Sequence, residues 1–190
     1  MKRSFYALSV AFVLAGIVHT LIVLLIPSYA ARDAWAKLEQ VASPWQFSIV
    51  AAPGKSNEIL PLVDPAFGIA ACRFDLTQTP LWVSAEGQLA FWSIAIFDRQ
   101  GQNIYSFNDR TAIERQLALI VVNPVQMAQF RKSPPANTDK AVLVETDTAE
   151  GFVLIRALQE NQSWAPPVDQ FLTSARCERF LGDAEAQPTG

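Results

Sequence analysis

The chain opens on one long apolar run and then changes rhythm. Residues 5–27, "FYALSVAFVLAGIVHTLIVLLIP", contain no Asp, Glu, Lys or Arg. A helix needs about 20 apolar residues to cross the hydrocarbon core of a bilayer. An N-terminal transmembrane signal-anchor is therefore expected over residues 1–28. "YAARDAWAKLEQVA" keeps helical spacing at Trp35, Leu38 and Val41. It predicts a juxtamembrane helix over residues 29–43 with Tyr29 and Trp35 near the lipid headgroups. Prolines 44, 53, 61 and 65 then break any helix and leave short extended pieces and loops.

From Ala66 the pattern turns to that of strands. "FGIAACRFDL" sets Cys72, Phe74 and Leu76 against Arg73 and Asp75. "PLWVSA" follows the turn "TQTP", and "LAFWSIAIF" is apolar on both faces, as a covered central strand would be. "DRQGQN" is a hairpin loop in which Gly101 can take a positive φ. "IYSF", "QLALIVV", "AVLVETD" and "GFVLIRAL" complete the strands, the last two joined by "TAEG" as a tight hairpin. "NPVQMAQFRK" predicts a helix capped by Asn123 with Pro124 in its first position. "PPVDQFLTSARCERFL" predicts a second helix that turns Val168, Phe171, Leu172, Ala175 and Phe180 to a core. The fold class is mainly β: an antiparallel β-sandwich with a few helices over residues 44–182, followed by a disordered tail, 183–190.

Either reading of the N-terminus sends the main domain across the membrane. Lys2 and Arg3 on a very short flank favour an amino end in the cytoplasm. "SYA" at 28–30 offers a signal-peptide cut after Ala30 as the competing reading. The apolar run exceeds the usual signal core of about 7 to 15 residues, which favours an uncleaved anchor. Within it Ala7, Ala11, Ala15 and His19 recur every four residues, a spacing that lets two helices approach closely in lipid. The bland reading is that alanine is common in membrane spans.

Charge and composition narrow the function. A formal net charge of −3 argues against a nucleic-acid partner. His19 is the single histidine, which removes most metal sites and any catalytic triad from the soluble part. No phosphate loop, nucleophile elbow or zinc spacing occurs, so no cofactor, no metal and no catalytic residue is expected. Cys72 and Cys177 are the only cysteines. In an oxidising compartment they can form one bridge, here from the C-terminal helix to the first core strand. Two separately buried thiols are the alternative. Trp45, Trp82, Trp92 and Trp164 read as core and edge packing rather than a ligand cage.

One polar island interrupts the strands. Asp98, Asn103, Asn108, Asp109 and Arg110 flank "IYSF". The bland reading is turn chemistry, with Asp109 and Arg110 paired at the surface. The functional reading is a polar rim where Arg110 holds a carboxylate or phosphate.

The order "DPAFGIAACRFDLTQTPLWVSA", "AFWSIAIFDRQGQNIYSFNDRTA", "LALIVVNP" resembles the bacterial family catalogued as domain of unknown function 1254, over about residues 60–160. The short, membrane-anchored branch is the part of the family it is similar to. The resemblance implies a sandwich of jelly-roll type and no settled activity. Longer members carry a second domain of unknown function, numbered 1214, so a separate protein with that domain is an implied partner. The expected function is a non-catalytic envelope accessory or protein-interaction module, tethered to the bacterial inner membrane with its domain in the periplasm and assembling with an envelope partner or as a homo-oligomer. A small-ligand-binding domain using the loops near Arg110 is the alternative, and a hydrolase ranks last for want of a base and nucleophile pair.

Overall fold

The computed structural model describes residues 2–53, 64–135 and 138–181. The tail expected to be disordered lies outside the described residues. Helix α1, Lys2–Val41, is continuous for 40 residues, so the juxtamembrane helix continues the anchor helix. Its stretch Lys2–Ile26 is long and apolar enough to cross a membrane, and none of it is buried by the rest of the chain.

The last turns of α1 meet the domain instead. Trp35, Leu38 and Ala42 are buried with Val50, Ala51, Ile69, Ala71 and Phe152. Trp35, expected near headgroups, packs on the Phe152 ring with centroids 6.2 Å apart. The indole N–H donates to Glu39 Oε1 at 2.8 Å, which meets the need of a buried indole for a polar partner. The guanidiniums of Arg73 and Arg99 lie 5.5 and 5.4 Å from the same ring.

Among the described residues nine strands form two sheets. The first has the order β1-β2-β8-β4-β5, from β1 (Ser48–Ala51), β2 (Phe67–Asp75), β8 (Glu150–Leu158), β4 (Trp92–Asp98) and β5 (Asn103–Asn108). The second has the order β7-β6-β3-β9, from β7 (Val142–Glu145), β6 (Leu117–Val122), β3 (Leu81–Ala85) and β9 (Arg176–Arg179). Alternating residues of both sheets share one core: Cys72 and Phe74 of β2, Ile94 and Ile96 of β4, and Val153 and Ile155 of β8 meet Val83, Leu119, Val121 and Cys177 of the second sheet. The sandwich expected from the alternation is therefore present. β2 is buried on both faces over most of its length, because the end of α1 covers its outer side.

Three details differ from the sequence expectation. β6 and β7 pair in parallel, not antiparallel, with helix α2 (Pro124–Lys132) between them in the chain. "TAEG" makes no hairpin, since β7 and β8 belong to different sheets. The C-terminal helix α3 spans only Ala165–Ser174, and Cys177 sits on β9. A period of two in "RCER" carries the chain along β3, where Val83 faces Cys177. Phe180 lies beyond β9 and packs tilted against Trp82 and edge-on against Phe130.

Cys72 and Cys177 are joined by a disulfide across 105 residues of sequence. It links β2 to β9, and so sheet to sheet, rather than strand to helix. Asn123 caps α2 as its sequence indicated: Gln126 N–H donates to Asn123 Oδ1, and Asn123 N–H donates to Gln126 Oε1. Both side-chain amides also donate to the Leu76 carbonyl at 2.9 Å, which fixes the helix against the end of β2. Gly151 is needed for close approach. A Cβ there would run into the Phe97 carbonyl oxygen and the Phe74 ring.

Candidate functional site

The polar island separates into two ends of β5. At about 3.3 Å per residue, six residues hold those ends some 17 Å apart or more. At one end Asp98 shapes the hairpin: its carboxylate accepts from Gln102 N–H at 2.8 Å, and Gly101 takes φ 76°. Arg99 pairs with Glu150 at 2.8 Å on an exposed surface. At the other end Asn108 makes an Asx turn, its side-chain oxygen accepting from the N–H groups of Arg110 and Thr111. Asn103 and Asn108 both border a shallow trough of about 440 Å³ floored by Ser93, Ala95 and Ser106. Asp98, Asp109 and Arg110 do not line it.

Asp109 departs from the surface pair that the sequence suggested. It is 1% exposed, and its Oδ2 accepts from Arg115 Nη2 at 2.6 Å. Arg110 is exposed and is not its partner. The Asp109 Oδ1 atom is buried without a hydrogen-bond partner. The chain reaches Arg115 through a tight turn, Ile113–Arg115, in which Glu114 and Arg115 take positive φ values of 52° and 58°. Two successive non-glycine residues in that region cost about 1 to 3 kcal/mol each and persist only where neighbours fix them. Each of the two residues carries an ion pair: Arg115 with buried Asp109, and Glu114 with Lys140 at 2.8 Å on the exposed surface.

This turn is one wall of a cleft of about 850 Å³. The lining also takes in the stretch after β3, from Glu86 to Ala90, the start of β6, Lys140, and Trp82, Trp92 and Trp164. Trp92 belongs to the core at 1% exposure, stacked on Phe171 of α3. Trp164 is half-buried at the start of α3. The volume of the cleft falls within the roughly 300 to 1,000 Å³ of small-molecule sites.

The sequence singles out Arg110, whereas Arg115, on the next turn, is the guanidinium that a buried carboxylate holds at a cleft. The signal available was the charged pair "ER" two residues before an apolar strand. Among the described residues no group of three or more His, Cys, Asp or Glu side chains is placed to hold a metal ion. The seam residues Ala7, Ala11, Ala15 and His19 all lie exposed on α1.

No protein-family model and no curated protein matches the chain. Its fold is similar to the crystal structure of the VPA0106 protein from Vibrio parahaemolyticus, with 14% identity over 87% of this chain and a TM-score of 0.60. An uncharacterized protein from Burkholderia cenocepacia aligns over 85% of the chain at 16% identity, with a TM-score of 0.49. This chain spans 40% and 42% of the lengths of those two proteins. The first of these likenesses shows that the sandwich recurs in a longer chain. It assigns no site.

Proposed function

We propose that this chain is a non-catalytic accessory module of the bacterial envelope, tethered to the inner membrane with its amino end in the cytoplasm and its sandwich in the periplasm. The observation that carries this reading is the continuity of α1, which combines an unburied apolar span with a docked C-terminal end. A tether of that kind fixes the distance and attitude of the domain above the lipid surface, which suits assembly with a membrane-bound partner. The disulfide fits an oxidising compartment, and Lys2 and Arg3 fit the orientation. We take the chain as a short member of the domain of unknown function 1254 group, completed by a separate protein of the 1214 type or by a second copy of itself.

The test is recovery of the tagged full chain from membranes in mild detergent. A stoichiometric companion, or a defined homo-oligomer, is the expected result. A solitary monomer at every mild condition tried contradicts the module reading.

The cleft favours a second reading, binding of a small ligand. It moves the expected site from Arg110 to Arg115. Arg110→Ala is then expected to leave both ligand binding and partner recovery unchanged.

A further inference from the structure

If the Arg115 cleft is a ligand site, as the second reading holds, its lining selects among ligand classes. Its two cations are already matched. Arg115 is held by buried Asp109 at 2.6 Å, and Lys140 by Glu114 at 2.8 Å. Glu86 is a further carboxylate on the wall. An anionic ligand would have to compete with these carboxylates for both cations. Among the described lining residues a cationic ligand would find only exposed Glu86 outside an ion pair, and a single screened surface carboxylate is worth little. Neither charge is favoured, which leaves a neutral ligand.

The remaining lining says what kind of neutral ligand. Trp164 is half-buried, so part of its ring stays available, and Trp82 lies with Phe180 on one side, centroids 6.0 Å apart. Exposed Gln88 and Gln116 belong to the lining, as does Ser84 on β3. Each amide supplies two N–H donors and a carbonyl acceptor, and serine supplies a hydroxyl. Apolar ring faces beside planar polar groups match a pyranose, which has a C–H face and a rim of hydroxyls that both donate and accept. A purely apolar ligand would leave the amides, the serine and the ion pairs desolvated. The tie from Arg115 to buried Asp109 is made before any ligand arrives, which lowers the ordering cost of binding at this wall.

We propose that the cleft bounded by Trp164, Trp82, Gln88, Gln116 and Arg115 is a binding site for a neutral saccharide. Arg115 acts there through its N–H edge toward hydroxyls and not as a counter-charge.

The test uses the full chain in detergent micelles, with chitotetraose and cellotetraose as neutral probes, galacturonate as the anionic one and choline as the cationic one. Binding is read by tryptophan fluorescence and by saturation-transfer NMR. The expected result is saturable binding of a neutral probe that changes little with salt. Trp164→Ala should weaken it by roughly tenfold or more, the size of a lost aromatic anchor. Gln88→Leu, at an exposed position that the fold does not need, should weaken it severalfold, and Arg110→Ala should leave it unchanged. The proposal is overturned if neither tetrasaccharide saturates by about 10 mM, a limit corresponding to very weak binding. It is also overturned if Trp164→Ala and Gln88→Leu both bind as the parent does. Binding of galacturonate or choline alone, lost in Gln88→Leu, would overturn the assignment to a neutral saccharide while keeping the cleft as a ligand site. Silence from all four probes would count against both.

Discussion

Between Lys2 and Ile26, α1 presents its apolar side chains to no other part of the protein, whereas between Trp35 and Val41 it presents them to β1, β2 and β8. The backbone is the same helix throughout. The first part has an apolar surface on every side, as a segment surrounded by lipid requires. The second buries a narrow stripe, Trp35, Leu38 and the following Ala42, and keeps Glu39 beside Trp35 to satisfy the indole. Helical spacing of apolar residues after a span therefore does not reveal what covers them. A headgroup layer and the outer face of a sheet ask for nearly the same stripe. The polar neighbours decide, and here two arginines from β2 and the β4–β5 turn flank the indole.

Substitutions separate the docked part of the helix from the free part. The largest loss should come from the domain's own cross-link. Replacing both Cys72 and Cys177 by serine should cost roughly 4 to 5 kcal/mol on the chain-entropy model for so long a loop, measured by denaturant unfolding. Trp35→Ala should come next, at about 3 kcal/mol, since it opens a cavity over Phe152. Such a loss would show that the end of α1 is part of the domain, and a loss near zero would return Trp35 to the membrane surface. Glu39→Gln removes a half-exposed bridge to Arg73 at 3.4 Å and weakens the indole contact. It should cost less than about 1 kcal/mol. At the bottom of the scale, Ala11→Leu should leave the unfolding of the domain unchanged, because nothing in the domain touches that part of α1.

Much of the fold was legible because the inner face of each sheet repeats with period two. Cys72 and Phe74 mark β2 directly, and Asn123 with Pro124 marks the start of α2. The features that escaped sequence reading have local causes. "SARCERF" offers helical spacing and strand alternation over the same few residues, and only the available edge of β3 selects the strand. Strands adjacent in sequence usually pair, which made "TAEG" read as a hairpin. β6 instead takes β7 in parallel, and β8 fills the centre of the other sheet between β2 and β4. At the candidate site, Asp109 and Arg110 look alike as neighbours in a polar turn. The direction in which the turn points Asp109 buries one and exposes the other. The left-handed backbone at Glu114 and Arg115 carries no glycine to announce it.

One intact chain should carry both a retained membrane span and a disulfide-closed sandwich outside the cytoplasm. Intact-mass analysis of the protein taken from its own membranes, alkylated before and after reduction, tests both parts at once. The expected chain keeps residues 1–30, is lighter by two hydrogens, and takes up alkyl groups on Cys72 and Cys177 only after reduction. A chain that begins after Ala30, or cysteines that alkylate without reduction, would contradict it.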